Sequence, residues 1–358
     1  MILELSFLFF SSFCTLFLMR KIAKSIGLVD KPNARKLHEG AVPLVGGLSI
    51  TLVLTQFLVF KPELIKHSEW YLASIVVLTL IGALDDKFDL SVRVRIAAQV
   101  FLSLMMMKVV GLELNHLGNI LGFGVINLGW LSSIVTIFAV IGAVNAFNMV
   151  DGIDGLLGGL STVTFGALAI VLNFDGHLGL AYLCVAIIIT MLPYIFMNLG
   201  ILGRQRKVFM GDAGSMMIGF TVIWILLGVS QTSSQPLLRP VTALWLIAIP
   251  LMDMTAIMMR RIRRGHSPFK PDREHLHHIC QRLGLSSRQT LVAICSLAAL
   301  FAAFGIYGES RQFSEAFMFY SFMLCFTFYA VVLSYIWRIT SFIKKRLGKE
   351  EVGIALDR

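Results

Sequence analysis

"GWLSSIVTIFAVIGAVNAFNMVDGIDGLLGGLSTVTFGALAIVLN", residues 129–173, contains two runs apolar enough to cross a bilayer, 129–147 and 156–173. Across their junction, residues 145–159, sit two amides, two carboxylates and a set of glycines. Charge inside or beside lipid is costly, and where it persists it marks a pathway or a reaction site. The same alternation of long apolar run and short polar turn extends through the chain. Its 358 residues are 57% hydrophobic and only 15% charged, with a mean hydropathy of +0.80, which excludes an ordinary soluble domain. The sequence predicts an all-α polytopic membrane protein, a single domain over 1–358. Eleven transmembrane helices are expected near 2–19, 43–60, 70–84, 96–113, 129–147, 156–173, 178–198, 213–230, 241–258, 290–308 and 316–337.

In a soluble protein the net charge of +10 would suggest nucleic acid, but in a membrane protein the position of the cations comes first. Alternate loops 20–42, 85–95, 199–212, 259–289 and 338–358 hold 26 of the 31 Lys and Arg residues. This positive-inside asymmetry predicts that those loops and the C-terminus are cytoplasmic, that the N-terminus is outside, and that nucleic acid is not a partner. Residues 2–19 are expected to be a retained span, because Arg20, Lys21 and Lys24 follow the apolar run rather than lead it. The five cysteines include no CxxC, so neither a disulfide nor zinc is indicated. Cys280, in the basic loop, is expected to favour its thiolate.

The carboxylates sort by side. Glu4, Glu63, Glu69, Glu113, Glu309 and Glu315 fall toward the outer face, whereas Asp30, Asp85, Asp86, Asp89, Asp151, Asp154, Asp212, Asp253 and Asp272 fall at or near the inner one. Asp85 and Asp86 are adjacent, so they repel and need a cation or a proton; a solvated loop capping the next helix is the plainer reading. Asn145, Asn148, Asp151 and Asp154 recur every three residues, so in a helical end all four would lie along one side. The glycines of that stretch would let a ligand approach, or serve tight helix packing. "FMGDAGS" at 209–215 opens a helix whose free N–H groups would suit a phosphate, although Asp212 also reads as an ordinary helix cap. The largest inner loop carries Arg260, Arg261, Arg263 and Arg264, then His275, His277 and His278. Its arginines suit topology and lipid headgroups, and the histidine spacing fits anion binding better than zinc, with His275 and His278 able to share a helix face. Carboxylates for a divalent cation beside cations for a diphosphate point to phosphoryl transfer. No GxxxxGK[ST] string is present, which excludes a P-loop ATPase. A secondary transporter is the competing class, but the polar motifs cluster at one face and no inverted repeat is detected.

The segments DDKFD, NAFNMVDGIDGL, FMGDAGS and HLHH, in that order, together with GLVDKPNARKLHEGAVPLVGG near the N-terminus, resemble the motifs of the polyprenyl-phosphate N-acetylhexosamine-1-phosphate transferases over nearly the whole chain. HLHH is similar to the branch that acts on UDP-GlcNAc. The resemblance implies transfer of GlcNAc-1-phosphate from UDP-GlcNAc to undecaprenyl phosphate, with UMP released and Mg2+ or Mn2+ required. It also implies the bacterial inner membrane and a first membrane step of lipid-linked surface polysaccharide synthesis. By motif, Asp85 and Asp86 match a catalytic pair near the lipid phosphate, and Asp212, with Asp151 and Asp154, the metal-ligating positions. Asn145, Asn148, Asp151, Asp154, Arg261, Arg263, His275, His277 and His278 match the substrate-binding region. Where relatives often carry Lys this chain has Arg95, which bears on any role for a deprotonated lysine. Direct attack by the acceptor phosphate and a phospho-aspartate route both stay open, and the sequence does not decide between a monomer and a homo-oligomer.

Overall fold

The computed structural model describes residues 1–31, 40–174, 176–231, 236–268 and 274–346, with helix backbone alone from 337. Within a bilayer the backbone must satisfy its own hydrogen bonds, and each apolar run accordingly folds as helix. The helices are α1 (Ile2–Ile26), α2 (Gly46–Phe60), α3 (Ser68–Phe88), α4 (Val92–Met105), α5 (Ser132–Met149), α6 (Leu156–Phe174) and α7 (Leu178–Asn198). They continue with α8 (Gly211–Gln231), α9 (Pro240–Leu246), α10 (Ala248–Arg263), α11 (Leu276–Arg282), α12 (Ser287–Ser310) and α13 (Glu315–Arg346). Described strand is confined to a two-residue antiparallel ribbon, β1 (Val29–Asp30) and β2 (Val42–Pro43), with Val29 opposite Pro43.

Helix lies over all eleven predicted stretches, but the stretches are not equivalent. Seven described helices are long and apolar enough to cross a membrane, or eight if α9 and α10, bent by 84°, form one span. At 15 residues α2 is short, reaching about 22 Å against a hydrocarbon core of about 30 Å. The expected break after residue 84 does not occur. α3 runs on through Asp85 and Asp86, which puts the aspartate pair on a helix end rather than in a loop. The stretch 241–258 is likewise two helices meeting at Ile247.

α8 is the axis of the bundle. Its apolar window is 94% buried, against 17% for α1 and for α13. Its neighbours reach it at glycines: a Cβ on Gly47 would collide with the backbone of Gly214, one on Gly82 with that of Ala213, and one on Gly219 would lie 2.6 Å from Cα of Val144. Small residues at helix crossings allow this backbone approach. Gly158 and Gly159 instead leave room for side chains, those of Ile195 and Cys295. The consequence is positional. The C-terminal ends of α3, α5 and α7 and the start of α8 come together at one end of the bundle, and α11 and the start of α12 close over them.

Candidate active site

The apolar part of α3 ends at Leu84, and one further polar turn runs to Phe88 before Asp89 takes a left-handed conformation (φ 52°). Successive helix residues point about 100° apart, so Asp85 and Asp86 do not face each other. Asp85 turns toward α4, its Oδ2 2.9 Å from Nη1 of Arg95, a close ion pair without an aligned hydrogen bond. The same nitrogen donates to Oδ2 of Asp212 at 3.2 Å. Asp86 turns toward α8 and accepts the N–H groups of Asp212 (2.9 Å) and Ala213 (3.4 Å). Asn148 donates to Oδ1 of Asp212 at 2.7 Å and is 2.8 Å from Oγ of Ser215. Asp85 and Asp212 therefore meet at one arginine, and Asp86 joins them through the backbone of Asp212. Burial first, and then the Asp212 carboxylate, pushes both the Asp85 and Asp86 carboxyl groups above their ordinary range.

Two of the N–H groups expected to be free for a phosphate at the start of α8 are therefore already engaged, because Asp86 reaches across from α3 to cap them. Gly211 makes this possible. It has φ 73°, and a Cβ there would collide with Oδ2 of Asp86. The left-handed conformation alone costs an L-residue about 1–2 kcal/mol. Gly211→Ala is accordingly expected to lower the thermal midpoint of the detergent-solubilised protein by several degrees; an unchanged midpoint would contradict this account of the turn.

The four-residue ladder does not stay on one face, because α5 ends at Met149 and residues 150–155 form turns. Asn145 points to α4, donating to Oε1 of Gln99 at 3.1 Å. Asn148 points to Asp212. Asp154 pairs with Nζ of Lys207 at 2.6 Å, and Asn198 of α7 pins the turn by accepting the Gly155 N–H at 2.6 Å.

The histidines also separate. His275 precedes α11 rather than sharing its face with His278, and its Nδ1 lies 2.8 Å from Oδ2 of Asp253. His277 is buried against Gly152, and its Nε2 has no hydrogen-bond partner. Burial, then His278 and His275, pushes its pKa down to about 3, so it is neutral at physiological pH and cannot attract an anion by charge. Arg261 is buried and donates to the Pro268 carbonyl at 2.6 Å, while Arg263 is exposed. Asp272 and the stretch 32–39 lie outside the described residues.

Among the described residues a cleft of about 730 Å³ opens between these elements, lined in part by Asp86, Asn148, Asp151, Asp154, Asp212 and His278. Asp85, Asn145, Arg261, Arg263, His275 and His277 do not line it. Asp30 brings the described lining aspartates to five, opposite Lys207 and Arg282. The Lys207 charge is already paired with Asp154. No group of three His, Cys, Asp or Glu among the described residues is placed to hold a metal by itself. Mg2+ takes one or two carboxylates and completes its shell with water and substrate phosphates, so an oxygen-rich cleft with surplus negative charge fits it.

Sequence reasoning missed Lys207, Asn198 and Asp253. Asp253 carried a signal, since a carboxylate within "IPLMDMTAI" is costly and asks for a partner. Lys207 carried only its nearness to FMGDAGS. The expectation for Cys280 changes sign: burial and Asp253 push its thiol up rather than favouring the thiolate. A membrane-impermeant maleimide is therefore expected to label it slowly at pH 7 and faster only as pH rises above the usual thiol range; rapid labelling at pH 7 would contradict the half-buried placement.

Residues 69–230, from the beginning of α3 to the end of α8, match the model of Glycosyl transferase family 4. The chain is 51% identical over 343 residues to an undecaprenyl-phosphate alpha-N-acetylglucosaminyl 1-phosphate transferase of Yersinia pestis, covering 96% of this chain and 94% of the relative. A protein of the same description from Escherichia coli K12 is 52% identical over 336 residues, covering 93% and 91%. This chain belongs to glycosyl transferase family 4. A relative of that description in Haemophilus influenzae, 48% identical over 338 residues, covers 94% of this chain and 95% of its own length. The family model spans four of the described lining aspartates, from Asp86 to Asp212, whereas Asp30 and the histidine segment that closes the cleft lie outside it.

Proposed function

We propose that this protein transfers GlcNAc-1-phosphate from UDP-GlcNAc to undecaprenyl phosphate in the bacterial inner membrane, yielding undecaprenyl diphospho-GlcNAc and UMP. The carrying observation is the cleft itself, an aspartate-rich opening at one end of an apolar bundle, where a water-soluble diphosphate and a membrane-held phosphate can meet. The relatives' descriptions supply the substrate identities.

An oxygen of the lipid phosphate attacks the β-phosphorus of UDP-GlcNAc, forming the new P–O bond as the bond from that phosphorus to the UMP oxygen breaks. Asp86, which lines the cleft, would take a residual proton from the acceptor phosphate. Asp85 holds Arg95 instead, and Arg95 is a fixed cation where a lysine could have given up its proton. One or two of Asp212, Asp151 and Asp154 would hold Mg2+, with Mn2+ an alternative, and the ion would supply neutralisation of phosphate charge. Lys207, paired with Asp154, and Arg282 line the same cleft as the described basic side chains nearest a bound diphosphate. The test is release of UMP from radiolabelled UDP-GlcNAc in membranes supplied with undecaprenyl phosphate, run beside UDP-GalNAc and UDP-MurNAc-pentapeptide. Turnover of UDP-GlcNAc alone is expected, and turnover of another donor in its place would overturn the substrate assignment.

A further inference from the structure

α11 is only seven residues long, yet it carries His278 into the cleft and His277 onto Gly152, between Asp151 and Asp154. So short a helix is not stable by itself, and something outside it must hold it in place. Asp253 of α10 is a carboxylate in that position, 1% exposed. Its Oδ2 accepts Nδ1–H of His275 at 2.8 Å, and its Oδ1 accepts both the Leu276 N–H at 3.0 Å and the Tyr329 hydroxyl of α13 at 2.6 Å. The three donors come from the residue before α11, the first residue of α11 and a neighbouring long helix. A second tie runs beside it: Arg260 of α10 pairs with Oε2 of Glu274 at 2.6 Å and donates to the Leu333 carbonyl at 3.4 Å. None of these groups lines the cleft.

We propose that Asp253 is a positioning residue for the transferase site, holding α11 so that His277 packs onto Gly152 and His278 faces the substrate. This rests on the transferase reading above. The carboxylate can act only through α11, since Asp253 is buried and does not line the cleft. Asp253→Asn keeps the size of the side chain but turns one acceptor into a donor, which opposes the Nδ1–H of His275.

The consequence is coupling. With α11 in register, His278→Ala loses the histidine contact; with α11 released, that contact is already gone. In full-length protein supplied with undecaprenyl phosphate, Asp253→Asn and His278→Ala are each expected to reduce kcat/KM for UDP-GlcNAc about tenfold, mainly through KM. The double variant is expected to be no worse than the more impaired single one, because groups acting as a unit are not additive. Penalties that multiply to about a hundredfold, or an Asp253→Asn enzyme with normal kinetics, overturn the role of Asp253. If Asp253→Asn does not yield folded protein, Tyr329→Phe removes one of the three donors without burying new polarity, and the same cycle with His278→Ala decides by the same criterion. Wild-type protein that transfers nothing would overturn the transferase reading along with this one, whereas active wild type with multiplying penalties removes only the positioning role.

Discussion

Asp212→Asn is expected to reduce turnover by more than about 100-fold, the upper end of what losing even an outer partner of a metal ligand costs, and to raise the magnesium concentration needed for half-maximal activity. The geometry concentrates function on this carboxylate. One oxygen accepts from Asn148, the other from Arg95, and its own N–H is held by Asp86. An amide keeps the shape and can still accept from Asn148, but it gives up the charge that a hard cation requires. It also removes the negative neighbour that helps to push Asp85 and Asp86 up, so both would move back toward the ordinary carboxylate range. Stability should change little, which a thermal melt would verify. Near-normal turnover at low magnesium in the folded variant would remove Asp212 from the metal site.

The second large effect separates capping from chemistry at Asp86. Asp86→Asn retains a carbonyl that can accept the Asp212 N–H, so the start of α8 should hold, while a carboxylate acting as general base contributes about 10²–10⁴-fold and would be lost. Asp86→Ala removes cap and carboxylate together. It should show the same fall in kcat plus a loss of roughly 0.5–2 kcal/mol in stability, the usual cost of losing a helix cap. Asp85→Asn should differ from both, because Asp85 does not line the cleft and its loss acts by releasing Arg95. Measured kcat at saturating UDP-GlcNAc, beside thermal midpoints, distinguishes the three. If Asp86→Asn were as unstable as Asp86→Ala while Asp85→Asn carried the larger kinetic loss, the roles given to the two aspartates would have to be exchanged.

The fold was legible because lipid leaves the backbone few choices: apolar runs must be helical, and the asymmetry of Lys and Arg distinguishes one end of the bundle from the other. Spacing was a poorer guide where helices end. The Asn145-to-Asp154 ladder assumed one continuous helix, but α5 stops at Met149, and only Asn148, Asp151 and Asp154 reach the cleft. Adjacency misled in the same way at Asp85 and Asp86, which a helix sends in different directions. Local sequence could not reveal that Asp86 caps α8 from 126 positions away, or that Asp253 serves α11. Both are carboxylates satisfied by N–H groups far along the chain, and only the packed bundle makes them neighbours.

The contact between Asp253 and Tyr329 also bears on how the protein is made. Helices enter the membrane in the order of synthesis, and domains generally form from the N-terminal end as the chain emerges. Asp86 and α8 can meet early, since both are present once residue 213 has been inserted. Asp253 can meet His275 and Leu276 next, but its third donor belongs to α13, the last described helix. The cleft therefore acquires its full set of supports only once α13 is in place, so a ribosome-bound intermediate lacking α13 would present the carboxylate wall before the histidine wall is secured.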